Sequence, residues 1–283
     1  MSPVKPFLVT GGTGTTGSRV RAHLTATGHR TRTATRTPTS TPGTDGEMVR
    51  FDWTDPTTHA PALDGVGGVY LVPPVGDPDP AASMLPFLHR ARGAGIERVV
   101  LLGSSAIAET DGGLGEVYRS IRALFPQWAV LRPSWFMQNF TGGHVHARSI
   151  RERGEIVTAT GDGRVAFVDA DDIAAVAARA LTDEHPHNTA HLITGPEALS
   201  YADIAATLTR VTGRPIRHRS ISRTTMRDRL TTDGLPEPFA DLLAAMDEAI
   251  ATGAEDRTSG AVERVTGRAP RSFAEFVGSA DLA

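Results

Sequence analysis

The chain has 283 residues, 40% of them hydrophobic, with 29 Lys and Arg against 32 Asp and Glu for a formal charge of -3. That length and apolar content can bury a full core, which excludes intrinsic disorder, and the near-balanced charge gives no general attraction for nucleic acid or anionic lipid. Without cysteine there are no disulfides, thiolate nucleophiles, cysteine-held iron–sulfur clusters or cysteine-ligated zinc.

Short β-branched runs alternate with helical patterns, the rhythm of βαβ units on a parallel sheet. The pattern predicts strands at 7–10, 31–35, 47–51, 68–72, 98–102 and 129–132. Helices are predicted at 15–27 and 81–94, stopped by Gly28 and Gly95. Beyond Arg132 the pattern loosens into a turn at 161–163, a helix at 171–181 and a short strand at 191–194. From Ser200 helices dominate, at 201–212, 224–231, 237–252 and 273–277. The expected fold class is α/β, a Rossmann-like doubly wound parallel sheet with a smaller, mostly helical C-terminal lobe. The expected division is 1–150, with parts of 160–195 returning to it, against 196–283. The opening Met-Ser-Pro-Val-Lys-Pro-Phe has no apolar h-region, and no run approaches the roughly 20 apolar residues of a membrane span, so a cytoplasmic placement away from membranes is expected.

The strongest local signal is Thr10-Gly11-Gly12-Thr13-Gly14-Thr15-Thr16-Gly17, which follows the first strand and opens the first helix. A pyrophosphate can reach helix N-terminal amides only where no Cβ obstructs it, so Gly11, Thr13, Gly14, Thr15, Thr16 and Gly17 are expected to hold a dinucleotide. At the end of the second strand, where a carboxylate would accept the ribose hydroxyls of NAD, the chain has Arg36. A guanidinium pairs with a 2′-phosphate, so NADP(H) is the expected cofactor; the alternative is a solvated arginine in an arginine-rich chain. Asp52 and Trp53 are expected beside the adenine, and Pro73 and Pro74 as a rigid floor after the fourth strand. Ser104 and Pro133, at the ends of the fifth and sixth strands, complete the cofactor-facing set. On this reading 1–150 is the NADP-binding domain and 196–283 mainly binds substrate.

Lys5 is the only lysine, so the Tyr-x-x-x-Lys proton relay of ordinary short-chain dehydrogenases has no lysine to use. The spacing Ser105-x12-Tyr118-x3-Arg122 reproduces that set with arginine in the lysine position. Arginine supplies charge but stays protonated and cannot relay. Ser105 and Tyr118 are therefore candidate catalytic residues, with Tyr118 as a pocket wall the other reading. Trp135, Phe136 and Met137 crowd the loop after the sixth strand, on the carboxyl side of the sheet where α/β enzymes bind ligands, and are candidate substrate contacts with Tyr118. No metal site is expected: His144-x-His146 and His185-x-His187 lack a completing carboxylate spacing. Asn139-Phe-Thr141 fits a glycosylation sequon without secretory context, and Asp169 and Asp172 read as helix-entry carboxylates.

Taken together, Phe51-Asp-Trp-Thr-Asp55, Val69-Tyr-Leu-Val-Pro-Pro74, Ala129-Val-Leu-Arg-Pro-Ser-Trp-Phe-Met-Gln-Asn-Phe140, Ala159-Thr-Gly-Asp-Gly163, His187-Asn-Thr189, Ile193-Thr-Gly-Pro-Glu197, Gly253-Ala-Glu-Asp-Arg257 and Val265-Thr-Gly-Arg268 resemble the festuclavine/agroclavine dehydrogenase family of ergot alkaloid reductases, within the NmrA-like atypical short-chain dehydrogenases. The resemblance covers nearly the whole chain and implies NADPH-dependent reduction of a cyclic imine or iminium of an alkaloid-like metabolite. Such an acceptor needs no proton from the protein, and aromatic walls tolerate its loss of charge better than a tight ion pair would. Two alternatives stand beside it: a carbonyl or quinone reductase using Tyr118 as proton donor, and an NmrA-like NADP(H)-binding redox sensor without turnover. The expected partner is a small molecule, not nucleic acid; oligomeric state and exact substrate are unreadable.

Overall fold

In the computed structural model, residues 5–38, 47–77 and 79–280 are described. Strands β1 (Phe7–Val9), β2 (Thr31–Thr35), β3 (Glu47–Arg50), β4 (Gly68–Leu71), β5 (Arg98–Leu102) and β6 (Gln127–Pro133) form one sheet in the order β3-β2-β1-β4-β5-β6, extended beside β6 by the strand Thr189–Ile193. Every pairing from β3 across to β6 is parallel. All four residues of β4 and the centre of β5 are buried, because helices cover both faces, and the strands therefore read as continuous apolar runs instead of alternating ones. Strand order reverses between β1 and β4, the switch point at whose carboxyl edge doubly wound sheets bind ligands.

Helices α1 (Thr15–Ala26), α2 (His59–Leu63), α3 (Ala81–Gly93) and α4 (Leu114–Leu124) lie between these strands. α1 buries Val20 and Leu24 and ends before Gly28, which turns the chain at φ +81°. The helix Ala170–Thr182 packs on α1 along a mostly buried length, and His23 meets Asp171 at 2.9 Å. Arg98 of β5 satisfies its carboxyl end, donating at 2.7 Å to the carbonyls of both Leu181 and Asp183. Asn188, at φ +43°, then accepts from the Trp128 amide at 2.9 Å and donates to the Pro126 carbonyl at 3.0 Å, docking the following strand beside β6. The His187-Asn-Thr189 motif is thus a backbone splice.

The chain divides into two compact units, Met1–Pro133 with Ala170–Leu192, and Ser134–Asp169 with Ile193–Ala283. The first crossing falls at Pro133 and not at 150, because residues 134–169 supply Met137, Phe140, Ile156 and Phe167 to a separate core shared with Tyr201 and Phe273. In the second unit Glu155–Thr158 pairs in parallel with Arg217–Ser220, and Arg164–Val165 pairs antiparallel with Leu199–Ser200. A capping box of Ser200 and Asp203 starts the helix Tyr201–Thr212. A Cβ on Gly195 would stand 2.0 Å from the Phe167 carbonyl oxygen, and one on Gly163 2.2 Å from that of Ile250. These glycines of the Ile193–Glu197 and Ala159–Gly163 motifs are fixed by backbone packing. Among the described residues no helix is long and apolar enough to cross a membrane.

Candidate functional site

The glycine turn lies at the exit of β1. Gly11 adopts φ +58°, and a Cβ on Gly17 would fall 2.3 Å from the Gly11 carbonyl oxygen, so α1 can approach the turn only as glycine. Gly14 caps α1 with extended backbone and no side-chain hydrogen bond, and the first turn carries no acidic residue. The leading amides of α1 therefore point to a site suited to an anion, and a pyrophosphate fits it. Thr13, Gly14 and Thr15 are exposed here, whereas Thr16 and Gly17 are buried against the turn.

Val72 ties this turn to the other predicted cofactor residues. Its amide donates to Thr10 Oγ1 at 2.7 Å, and its carbonyl accepts the Trp53 indole N–H at 3.1 Å. Its side chain would meet a Cβ on Gly11 at 3.1 Å. Trp53 is held further by edge contacts with Phe51 and Phe87, at 4.9 and 5.3 Å between ring centres. One edge of the indole is thus fixed in the core, while the residue as a whole stays half-buried. Asp52 accepts from the Thr54 amide at 2.9 Å and the Thr54 hydroxyl at 2.8 Å. Those bonds hold its carboxyl below the ordinary value, and the charges of Arg36 and Arg50 act the same way. Arg36 is exposed at the end of β2, close enough for Asp52 to feel its charge. Pro73 and Pro74 follow Val72 half-buried.

Near the exits of β5 and β6, Ser104 and Tyr118 line one small cavity of about 10 Å³ together with Arg132 and Ile107. Ser105 does not line it. That residue is 2% exposed, and its amide donates to the Pro133 carbonyl at 2.9 Å, locking β5 to β6. Ser104, not Ser105, is the serine that lines this cavity with Tyr118. Arg132 donates to the carbonyls of Ser104, at 3.3 Å, and Ser105, at 2.9 Å, and so shapes this corner. Arg122 is exposed and paired with Glu109 at 3.1 Å. Burial raises the Tyr118 phenol above its usual range, the Glu109 charge adds to that, and Arg122 and Arg132 pull the other way. The tyrosine ring also leans on Trp128 at 5.9 Å.

In the second unit, Trp135 and Phe136 are half-buried. Their segment is pinned to Val168 by hydrogen bonds of 2.9 Å, from the Val168 amide to the Trp135 carbonyl and from the Met137 amide to the Val168 carbonyl. Met137 is 1% exposed inside the core of this unit, which gives it a packing role, whereas Trp135 packs against that core only partly buried. Gln138 donates to Asp169 at 2.7 Å, and Arg271 to the other oxygen of Asp169 at 3.0 Å, so Asp169 serves as a structural hub. Among the described residues no cluster of His, Asp or Glu could hold a metal. Val72, Glu109 and Arg132 were not singled out from sequence; Val72 and Arg132 were signalled only by their places beside Pro73 and Pro133, and Glu109, nine residues before Tyr118, by nothing local.

Comparison with known proteins agrees with this geometry. The profile of an NAD(P)H-binding family matches residues 11–184, and that of the NmrA-like family matches residues 115–277. The chain is 46% identical over 276 residues to the uncharacterized oxidoreductase YesF of Bacillus subtilis, covering 98% of this chain and 95% of that protein. It is 36% identical over 280 residues to an agroclavine dehydrogenase of Claviceps fusiformis, covering 96% of each. The triphenylmethane reductase of Citrobacter sp., solved with NADP(H), superposes with a TM-score of 0.81 at 25% identity, over 96% of this chain and 98% of that one. The α1 cradle, the doubly wound order and these matches lead to one statement: the chain belongs to the NmrA-like family of NAD(P)H-binding oxidoreductases.

Proposed function

We propose that this oxidoreductase uses NADPH to reduce the C=N bond of a cyclic imine or iminium in an alkaloid-like small molecule. The observation that carries the reading is the pairing of Arg122 with Glu109 at 3.1 Å beside Tyr118. The cation that would have to ease proton release from the phenol is engaged by a carboxylate, and burial raises the phenol further. A side chain so placed is a poor acid for a nascent alkoxide, which favours an acceptor that needs no proton. Similarity to an agroclavine dehydrogenase over nearly the full chain supports the same acceptor class.

When bound, a reduced nicotinamide would supply the hydride for the iminium carbon, with the C=N electron pair passing to nitrogen and a neutral amine as product. The residues of this chain contribute position and surroundings. The α1 amides and the glycine turn hold the pyrophosphate, and Arg36 pairs with the 2′-phosphate. Trp135 and Phe136 present ring faces that attract the ground-state cation weakly, so little attraction is lost as its charge disappears.

The shared cavity of Ser104 and Tyr118 favours a second reading, reduction of a carbonyl or quinone with Tyr118 donating the proton. NADPH oxidation with a panel of cyclic iminium ions, neutral imines, quinones and a cationic triphenylmethane dye, by the native protein and Tyr118→Phe, separates the two. The imine reading expects turnover of the iminium ions that survives in Tyr118→Phe within about threefold, since general acid catalysis would be worth far more. Loss of all turnover in that variant transfers the assignment to the second reading.

A further inference from the structure

Asp247 lies on the helix Glu237–Ala251, one turn beyond the fully buried Ala244. Its Oδ2 accepts from the Ala159 amide at 2.8 Å. Ala159, Met226 and Ala244 form a small apolar cluster with Ile221 and Leu230 packed against it, so this carboxylate sits at an oily margin and is still partly exposed. Nearby acidic groups are neutralised: Arg223 reaches Asp241 at 3.1 Å and Glu248 at 3.0 Å. That arginine is fully engaged, and among the described residues no Arg or His forms an ion pair with Asp247. A desolvated carboxylate without countercharge costs stability, and a chain that keeps one leaves a place for a positive ligand.

We propose that Asp247 is the counter-ion for an organic cation, a ring-borne ammonium or iminium whose apolar body lies against the Met226 and Leu230 side of the cluster. A metal ion suits the place poorly, since it would need several oxygen ligands and no group of three His, Asp or Glu is assembled among the described residues. The assignment extends the imine reading by naming how its charge is recognised, and rests on that reading only for the choice of ring system. Hydride transfer turns the iminium into a neutral amine, so Asp247 is assigned to binding the cation and not to the reacting step, where the ring faces serve; it is a specificity-determining group that acts on affinity.

The probe is N,N-dimethyl-1,2,3,4-tetrahydroisoquinolinium, permanently charged and not reducible, against its neutral carbocyclic isostere, with binding followed by calorimetry on the full chain. Asp247→Asn keeps the acceptor for the Ala159 amide and removes only the charge. It is expected to weaken the cation about tenfold or more and the isostere by less than about twofold. In turnover with a cyclic iminium, KM rises and kcat does not fall. On the native protein alone, cation affinity falls as pH drops from 8 to 5. Among the described titratable groups Tyr201 feels the charge of Asp247, and burial raises its phenol well above this pH range. Asp247→Asn therefore flattens most of that slope. Equal losses for cation and isostere, no cation preference in the native protein, or the same pH slope in both proteins would each overturn the assignment. Cation preference without any iminium turnover retains Asp247 as a counter-ion and removes the imine reading instead.

Discussion

The indole N–H of Trp53 donates to the Val72 carbonyl at 3.1 Å, while the Val72 amide donates to Thr10 at 2.7 Å. One residue thereby fastens the exit of β3 to the exit of β1, and its side chain touches the glycine turn. Trp53→Phe removes the donor and strands a carbonyl, at a cost of about 1–2 kcal/mol. NADPH affinity is expected to fall about fivefold with it, an effect of about 1 kcal/mol on the position of Gly11. Unchanged cofactor affinity in a variant with a lowered Tm would separate the turn from this bond.

Gly17→Ala places a methyl 2.3 Å from the Gly11 carbonyl oxygen. Backbone cannot yield as a flexible side chain can, so α1 must back away from the turn. The expected result is a folded protein with near-native circular dichroism and no measurable NADPH binding by fluorescence titration. Normal binding would show that α1 has slack which the packing denies.

Arg36→Glu puts a carboxylate where the 2′-phosphate is proposed to lie. NADPH should lose about 1.5–3 kcal/mol, or roughly 10- to 100-fold in Kd, with NADH changed little. Parallel losses for both nucleotides would leave Arg36 as a solvated surface charge.

Trp135 and Met137 are two residues apart and should fail differently. Met137→Ala empties part of a sealed core and is expected to cost about 2–5 kcal/mol in chemical denaturation. Trp135→Ala should lower turnover about tenfold or more while NADPH affinity stays within twofold. A stability loss in Trp135→Ala as large as that of Met137→Ala would place the indole in the core as well.

Asp247 also has a signature in stability. Burial raises its carboxyl from 3.8 to about 6, so between those values the folded protein holds a proton that the unfolded chain releases. Folding stability therefore declines as pH rises through that window, by on the order of 2–3 kcal/mol, and the penalty is complete above pH 6. His146, lowered to about 3 by burial, and His144 and His218, lowered the same way, give the opposite slope: stability falls as pH drops below 6.5. Both proteins share the histidine slope, so the Tm difference between Asp247→Asn and native isolates the carboxylate. It should reach several degrees in favour of the variant at pH 8 and vanish at pH 4.

The sheet was legible because its strands are buried on both faces: Val69-Tyr70-Leu71 and Val99-Val100-Leu101 cannot be anything else between glycine and charged breaks. Thr31–Thr35 matched to the residue. The second unit was less readable. Val145–Arg153 is a helix whose sequence carries four arginines and histidines after its first residue, and its face is set by the stacking of His146 on Phe140 and the packing of Ile150, not by periodicity. Arg217–Ser220 has no apolar alternation; its partner lies some 60 residues earlier, at Glu155–Thr158, and such long-range register leaves no local trace. In the site, residue types could be named but not aimed. Ser104 and not Ser105 lines the cavity with Tyr118, and Met137 turns inward between neighbours that do not. Asp247 drew no attention because its character comes from an arginine that goes elsewhere, to Asp241 and Glu248.

The chain leaves the first unit at Ser134, returns at Ala170 and departs again at Ile193. Phe167 and Gly195 meet backbone to backbone across that excursion, so neither stretch has a complete partner by itself. Chimeras with relatives must therefore carry 134–169 and 193–283 as one cassette, with three junctions; a single cut near 193 parts Gly195 from the Phe167 backbone it packs against.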